Sequence, residues 1–509
     1  MISNHPQFHE RHDRLAKWRA LGVDPYGTRL DGVQPILDAR ALHIENTPHE
    51  GTQIARVCGR IMLLRDIGKL IFITIQDSSG KLQIGLTKQL LTTDWDRAKL
   101  LELGDIAWFE GKVGHTNTGE VTIWAAAFGL SAKALLPLPD KFHGLTDTEL
   151  RYRQRYLDLA ANPASMSVFQ ARSRIIAEIR NFLHQRRFIE VETPMMQSMA
   201  GGAAARPFLT HHNALDIDLY LRVSPELFLK RLLVGGMERV FEINRNFRNE
   251  GIDTRHNPEF TMMELYEAYS DLSGMMELTE SLVATLAQNE ARLQKQTDGR
   301  VLLPFGDRQI DYTAPFERIA YGDLFQKHVG AAMEDGVAVR KAAAGCGIMH
   351  SDSKDTDVLR GELFERLAEP SLKDYNRPVF VFDYPAGLCP LTRRKTGNPS
   401  LAERFELYVA GMELANAYTE LNDPEVQYET LNAQLAGLPE HESMARMDHD
   451  FVTALCHGMP PAGGLGIGID RLIMLLTNCT SIRDVVLFPL LRPVLRSAAN
   501  DPTVSAPKI

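Results

Sequence analysis

Between Val240 and Tyr266 hydrophobic and polar residues alternate with a period of two on either side of a turn-rich break. Extended backbone points successive side chains to opposite faces, so Glu242, Asn244, Asn246, Arg248 and Glu250 share one face while Phe241, Ile243 and Phe247 occupy the other. The returning arm places Phe260, Met262, Glu264 and Tyr266 together, with Thr261, Met263 and Leu265 opposite. The stretch between them holds Gly251, Asp253, Asn257 and Pro258, which suit a connecting loop, and adds Arg255 and His256. The pattern predicts an antiparallel hairpin with one apolar face on a core. Its other face, lined with Arg, Glu, Phe and Tyr, can meet an anion, an aromatic ring and a cation together. A solvated hairpin would alternate in the same way, but such a face is usually rich in Lys and Thr.

Elsewhere the period changes several times. Leu15, Trp18 and Leu21 line one side of a short helix over 7–21. Five β runs follow, Ile54 to Met62, Lys69 to Gln76, Leu82 to Thr87, Ile106 to Val113 and Val121 to Phe128, with turn residues at Asp77–Gly80 and Asn117–Gly119. That succession predicts a small barrel of the oligonucleotide-binding (OB) kind. Val168, Ile175, Ile176, Ile179, Phe182 and Leu183 mark a helix over 167–186, and a strand from Phe188 to Pro194 follows it. Ser224-Pro225-Glu226 reads as a helix start with Ser as N-cap, which fixes Glu226 at a helix N-terminus. Residues 270–297 read as helical, and 316–370 as a helical insertion. Near the end, Gly464, Gly466 and Gly468 alternate with Leu465, Ile467 and Ile469, a strand packed on one side and bare on the other, with Arg471 opening the next helix.

The predicted organisation is α+β: an N-terminal helical segment (1–45), an OB-type barrel (46–140), a proline-containing link (141–165), a large second domain (166–495) and a disordered tail (496–509). Composition agrees with a folded chain of this size, since 44% of the 509 residues are hydrophobic and 24% charged. The net charge of 56 − 65 = −9 excludes nucleic-acid binding by bulk charge. Locally the balance reverses: within 54–90, Arg56, Arg60, Arg65, Lys69, Lys81 and Lys88 face only Asp66 and Asp77, as a barrel for single-stranded RNA would require. The five cysteines lack Cys-x-x-Cys spacing, which argues against a disulfide framework or a cysteine metal site and for a reducing compartment. No apolar stretch is long enough to span a bilayer, and the N-terminus has no continuous apolar core, so the expected location is the cytoplasm.

The candidate chemistry is spread over several segments. Neither a P-loop nor a Gly-x-Gly-x-x-Gly fingerprint occurs, so a nucleotide must be held by other means. In 403–420 an apolar strand turns at Gly411, and the returning arm puts Asn416, Tyr418 and Glu420 on one face. Glu406 and Glu413 flank that turn and could share a divalent cation with substrate phosphates, although two Glu around a turn are more often simply exposed. Glu226 has the same ambiguity, because a carboxylate at a helix N-terminus also complements the helix dipole.

The order Phe-Arg-x-Glu, then Arg-His-x-Pro-Glu-Phe, then Glu-x-Tyr, followed some 200 residues later by Gly-x-Gly-x-Asp-Arg, resembles the second and third signature motifs of class II aminoacyl-tRNA synthetases. Helix 167–186 with the strand to Pro194 resembles the first, and in its full wording the hairpin is similar to that of the lysine-specific members. The resemblance implies a catalytic domain built on an antiparallel sheet flanked by helices, a homodimer formed through the first motif, and ATP-dependent activation of L-lysine for transfer to tRNA(Lys). It implies Arg248 and Arg471 as catalytic groups on the α- and γ-phosphates, and Arg248, Glu250, His256, Phe260, Gly468 and Arg471 around ATP. Gly202, Glu226, Glu264, Tyr266, Asn416, Tyr418 and Glu420 would surround lysine, with Glu264 beside Tyr266 and Glu420 beside Tyr418 meeting the ε-ammonium. Glu406 and Glu413 would hold Mg²⁺. On the barrel, Arg60, Phe72, Gln83 and Glu120 would read the anticodon, Phe72 by stacking. Two rival readings are a truncated paralogue, which would lack the barrel, and a non-catalytic tRNA-binding relative, which would lose the charged motif residues that stand here.

Overall fold

The computed structural model describes residues 5–45, 49–139, 145, 147–199, 201–202, 205–294, 299–435 and 447–493. The tail expected over 496–509 lies outside them, as does part of the 141–165 link. The chain divides into two compact units, Met1–Met166 and Ser167–Ile509.

In the first unit five strands close a barrel: β1 (Ile54–Asp66), β2 (Leu70–Gln76), β3 (Lys81–Thr87), β4 (Ile106–His115) and β5 (Val121–Ala132), in the order β1-β2-β3-β5-β4. Alternation decides its inside. Ile71, Ile73 and Ile75 of β2 and Leu82, Ile84 and Leu86 of β3 are buried together, which turns Phe72 and Gln83 outward. The preceding helix α1 (Phe8–Ala20) buries Leu15 and Trp18 as expected, but Leu21 is exposed. Its place on the buried stripe is taken by Arg11, one turn before Leu15, whose guanidinium donates to the carbonyls of Leu103 and Ala134. In the link, Arg151 and Arg155 both donate to Asp158, at 2.9 and 2.6 Å, so these basic groups serve the fold.

The second unit is organised on one large sheet. Its strands are β6 (Ile189–Glu190), β7 (Arg239–Phe247), β8 (Glu259–Ala268), β9 (Glu317–Ala320), β10 (Val379–Pro385), β11 (Asn398–Val409), β12 (Met412–Thr419) and β13 (Ala462–Gly468), in the spatial order β9-β10-β11-β12-β13-β8-β7-β6. Only the outermost pairs are parallel; the interior is antiparallel. The lower face is a continuous apolar row, Phe241, Leu265, Leu465, Ala417 and Phe405, set by register across five strands. It packs on helix α2 (Pro163–Gln185), helix α3 (Leu272–Leu293) and helix α4 (Ile469–Leu476), which bury Ile175, Ile179, Leu282, Leu286, Leu472 and Ile473 against it. The upper face is left for chemistry.

Two segments differ from the sequence pattern. The strand expected from Phe188 to Pro194 is a ladder of only two residues; the Val191 amide still donates to the Phe241 carbonyl, and beyond it the Thr193 hydroxyl donates to the Glu242 carboxylate at 2.7 Å. The stretch read as a helical insertion over 316–370 opens instead with β9, a strand of the main sheet whose four residues are too few to show a period. Helices then follow at Tyr321–Val329, Gly336–Gly345 and Thr356–Leu363.

One buried carboxylate ties three distant segments together. Asp470, 2% exposed in the first turn of α4, accepts from Arg172 of α2 at 2.6 Å and from the Thr261 amide of β8 at 2.7 Å. Arg172 also reaches the Thr261 hydroxyl at 3.1 Å. Its burial is offset because both carboxyl oxygens are occupied by strong donors. The same Asp-Arg step sends Arg471 to the upper side of the sheet.

Candidate active site

The upper face is built in rows. Glu242, Glu264, Gly466, Asn416 and Glu406 are paired in sequence across five strands, and Val240, Tyr266, Gly464, Tyr418 and Arg404 form the next row. The central strand β13 carries glycine at both rows, and the space above it is filled from either side. A Cβ on Gly464 would collide with the Glu420 carboxylate and the Tyr266 ring, and one on Gly466 would press on Met262. Gly468 is different: a Cβ there would touch only the Arg471 stem at ordinary distance.

Helix 226–234 closes one end of this face. Its first residue is Glu226, with Pro225 before it, and the Ser224 hydroxyl accepts from the Glu226 amide at 3.1 Å while donating to Glu264 at 2.9 Å. Ser224 is therefore not the N-cap expected from sequence, since Pro225 holds that position without a side-chain cap, and the Ser224 hydroxyl instead orients a site carboxylate. Gly202 lies against Ser224 and Glu226 with φ +85°, a left-handed conformation that glycine adopts without strain. Tyr266 donates to Glu264 at 3.2 Å, as expected for that pair. Tyr418 and Glu420 are near each other but their side chains bond to different partners. The Tyr418 hydroxyl reaches across to Glu226 at 2.7 Å, and Glu420 instead meets Lys230. The reason is electrostatic: Lys230 stands one turn beyond Glu226 and delivers its ammonium between the two carboxylates. The sequence signal for it was the i, i+4 spacing of Glu226 and Lys230.

Burial and crowding raise the carboxyl pKa values here. Glu264 is pushed up to about 7 by burial and by neighbouring Glu226. Glu420 is also raised, by burial and against the opposing pull of Lys230. Its Oε1, on a residue 1% exposed, has no hydrogen-bond partner. Asn246, which alternation set on this face beside Phe260, is equally buried and neither amide atom is bonded. Buried polar atoms left unpaired are costly, so these are places where a ligand would relieve the structure.

The other end of the face is also acidic, but arranged differently. Strict alternation would put Glu413 and Asn416 on opposite faces. A β-bulge at Leu414 restores the parity: Leu407 pairs with Ala415 and Tyr408 with Glu413, so Glu406, Asn416 and Glu413 all face up. Glu406 accepts from Arg404, from Tyr384 at 2.8 Å and from Tyr408 at 2.6 Å. Arg404 also donates to Asn416 at 3.1 Å. Glu413 is bonded by Arg471, whose other side meets His256 at 3.2 Å, and His256 in turn contacts Asp253 at 2.8 Å. Glu369 was not anticipated from sequence; burial, Glu406, Glu365 and Glu413 push its carboxyl up to about 7. Among the described residues no three His, Cys, Asp or Glu side chains form a metal cage by themselves.

The remaining candidates are placed as follows. Arg248 lies 5.2 Å over the Phe260 ring, and its Nε is buried without a partner. Glu250 is exposed beyond the end of β7, outside the rows, because the ladder stops at Phe247. On the barrel, Phe72 and Gln83 share the outer face, Gln83 donating to Thr122 at 2.9 Å. Trp124, unforeseen, lies across Gly85 with its ring 6.1 Å from Phe72. Arg60 is partly committed to the Gly104 carbonyl at 2.8 Å, and Glu120 is exposed, 3.6 Å from Arg40.

A sheet of this topology with the second and third motifs meeting on its upper face and the first motif at its edge and underside, next in sequence to a five-stranded barrel, defines a class II aminoacyl-tRNA synthetase. The family model for tRNA synthetases class II (D, K and N) matches residues 147–492, and that for the OB-fold nucleic acid binding domain matches 55–128. The chain is 47% identical to the lysine–tRNA ligase of Carboxydothermus hydrogenoformans over 95% of its length and 97% of the relative's. It is 48% identical to that of Pelotomaculum thermopropionicum, covering 95% and 94%, and 46% identical to that of Escherichia coli strain K12, covering 95% and 96%. The chain therefore belongs to the lysine–tRNA ligase family.

The raised Glu264 gives a pH dependence with a definite sign. Below about pH 7 this carboxyl holds a proton that an incoming ammonium must displace. Calorimetric titration with a cationic amino acid should therefore show affinity falling about fivefold from pH 7 to pH 6. A flat profile would show that no carboxyl titrating there meets the ligand.

Proposed function

We propose that the chain activates L-lysine with ATP and transfers it to the 3′ end of tRNA(Lys). The observation that carries this reading is the cluster of Glu226, Glu264 and Glu420 on one face with Tyr266 and Tyr418. Recognition of an aspartate side chain there would need a free cation, and of asparagine an amide. The lysine carboxylate attacks the α-phosphate in line, forming lysyl-adenylate and releasing pyrophosphate; a ribose hydroxyl of the tRNA then attacks the acyl carbon and AMP leaves. Both reactants of the first step are anions, so positioned cations do most of the catalysis. Arg248 serves the α-phosphate, and its unpartnered Nε supports that role. Arg471 serves the γ-phosphate, with His256 and Glu250 beside the nucleotide and Gly468 allowing its close approach. Phe260 carries adenine on the ring face that Arg248 leaves open. Gly202 and Glu226 take the α-ammonium, while Asn416 orients the substrate from the neighbouring strand.

The acidic end suits Mg²⁺. Oxygen donors without a complete protein cage match an ion that is held by one or two carboxylates plus substrate phosphates. Glu413 and Glu406 would hold it, Glu406 through the lone pair that its three donors leave over. When bound, Mg²⁺ neutralises phosphate charge; the chain's own part is to keep Glu406 rigid through Arg404, Tyr384 and Tyr408.

We further propose that the barrel reads the anticodon, with Phe72 stacking, Gln83 and Glu120 bonding base edges and Arg60 near the backbone. Trp124 would broaden the platform. We also propose a homodimer through the first motif, in the cytoplasm. In its support β6 is an edge strand of the sheet, and Ile189, Met196, Leu209, Ile217, Leu490 and Phe488 are exposed, Phe488 at 71%. No helix among the described residues is long and apolar enough to cross a membrane.

Amino-acid-dependent ATP–pyrophosphate exchange across all twenty amino acids should be fastest with lysine. Glu420→Gln should raise the half-saturating lysine concentration at least about a hundredfold, the low end for breaking a buried ion pair. Faster exchange with another amino acid would refute the reading. Phe72→Ala should weaken tRNA charging by the roughly 1–3 kcal/mol of a lost base stack and leave tRNA-independent exchange unchanged; equal losses in both would remove the assigned role. Light scattering at micromolar protein should give twice 57.1 kDa, and an active monomer would exclude the dimer.

A further inference from the structure

Lys230 is a buried cation beside the upper face that the proposed chemistry does not use. Its side chain is wholly buried, yet it carries an ammonium into the midst of the substrate carboxylates. The Nζ donates to Glu226 Oε1 at 2.6 Å, forms an ion pair with Glu420 Oε2, and stands 5.5 Å from the centre of the Tyr418 ring. Tyr418 donates to the same Oε1 of Glu226. One oxygen of each carboxylate is thereby occupied, while Glu420 Oε1 is buried and unpartnered. A core lysine on an amphipathic helix would ordinarily extend its stem to reach water; this one ends among carboxylates.

The charges can be counted. Glu226, Glu264 and Glu420 are three potential anions and Lys230 is one cation, so a fully ionised site is two charges short of neutrality. Free lysine offers two ammonium groups, its α and its ε, while its carboxylate is directed at ATP. We propose that Lys230 is a positioning residue that sets the pocket's specificity: by holding one oxygen each of Glu226 and Glu420 it fixes both carboxylates and leaves room for a substrate with two ammonium groups. Without Lys230, Glu226 and Glu420 would face each other unscreened in a buried place, and one would take up a proton. The site would then match a substrate of lower charge and hold its acceptor oxygens less firmly. This inference rests on the lysine-activating reading, and deepens it by assigning the charge balance to a residue of the protein itself.

Burial works against the Lys230 charge, but Glu226 and Glu420 outweigh it, so the ammonium is held charged. The groups facing Glu420 are Lys230 and Glu226 from helix 226–234, Glu264 and Tyr266 from β8, and Tyr418 from β12; Arg222 acts on Glu264 from the preceding loop. Lys230 is the first cation to pull Glu420 downward.

The test compares wild type, Lys230→Met and Lys230→Arg in lysine-dependent pyrophosphate exchange, with thermal midpoints recorded for each. Lys230→Met should raise the lysine KM about a hundredfold or more, as loss of one partner from a buried pair implies, and leave the ATP KM unchanged. The low-pH limb of kcat/KM for lysine should move to higher pH, since Glu420 loses the cation that lowers it. Lys230→Arg restores the charge but not the shape, so it should return the limb toward wild type while recovering only part of the KM. A Lys230→Met protein with wild-type lysine KM and limb would overturn the proposal, as would a lower lysine KM, which would make Lys230 a competitor of the substrate ammonium. If Lys230→Met does not fold, Lys230→Gln, which keeps a donor but no charge, is put through the same two readouts and judged by the same outcomes. Wild-type exchange with lysine alone tests the underlying function, so either failure can be told from the other.

Discussion

The catalytic unit depends on one constraint of register: a strand almost without side chains, β13, lies between two strands that carry long ones. Because Gly464 and Gly466 sit level with Tyr266 and Tyr418, and with Glu264 and Asn416, the space above the central strand belongs to its neighbours. Any Cβ at Gly464 would strike Glu420. The apolar residues of the same strand, Leu465 and Ile467, hold that register from below through the core. A slip of one residue would send both sets to the wrong faces. Asp470 locks the arrangement from the end of the strand, where its oxygens join α2 and β8 to α4.

Two acidic groups then share one face and are kept distinct by their cations. At the end under helix 226–234, Glu226 and Glu420 are held by a buried lysine, and Glu264 by two hydroxyls. At the other end, Glu406 is held by Arg404 and two tyrosines, and Glu413 by Arg471. Both ends carry raised carboxyl pKa values, from burial first and like charge second. A buried carboxylate that still lacks a partner is poorly solvated, which favours whatever cation arrives next. The two ends thereby suit an ammonium and a hydrated metal ion respectively.

Alternation alone made much of this legible. It identified the upper face of β7 and β8, the bare side of β13 and the strands of the barrel, because a side chain's face is a local property once a strand is assumed; Phe72 and Gln83 were singled out by resemblance, not by alternation. Resemblance to class II synthetases then gave these faces their substrates. What local reading placed poorly lay at strand ends and turns. Glu250 falls past the last ladder bond, the strand after Phe188 stops at two residues, and β9 is too short to carry a period.

The sequence by itself determined which residues could face one another within a strand or one turn of helix, since periods of 2.0 and 3.6 are properties of the backbone. Tertiary structure decided which of those faces meet. The bulge that returns Glu413 to the side of Asn416 arises from pairing with β11, and strict alternation would have placed it on the opposite face. The partnership of Tyr418 with Glu226, and the entry of Lys230 between Glu226 and Glu420, join residues almost 200 positions apart. Asp470, inconspicuous beside Arg471 in the chain, became a three-way tie only through contact with α2 and β8. These are decisions of non-local packing, and no periodicity encodes them.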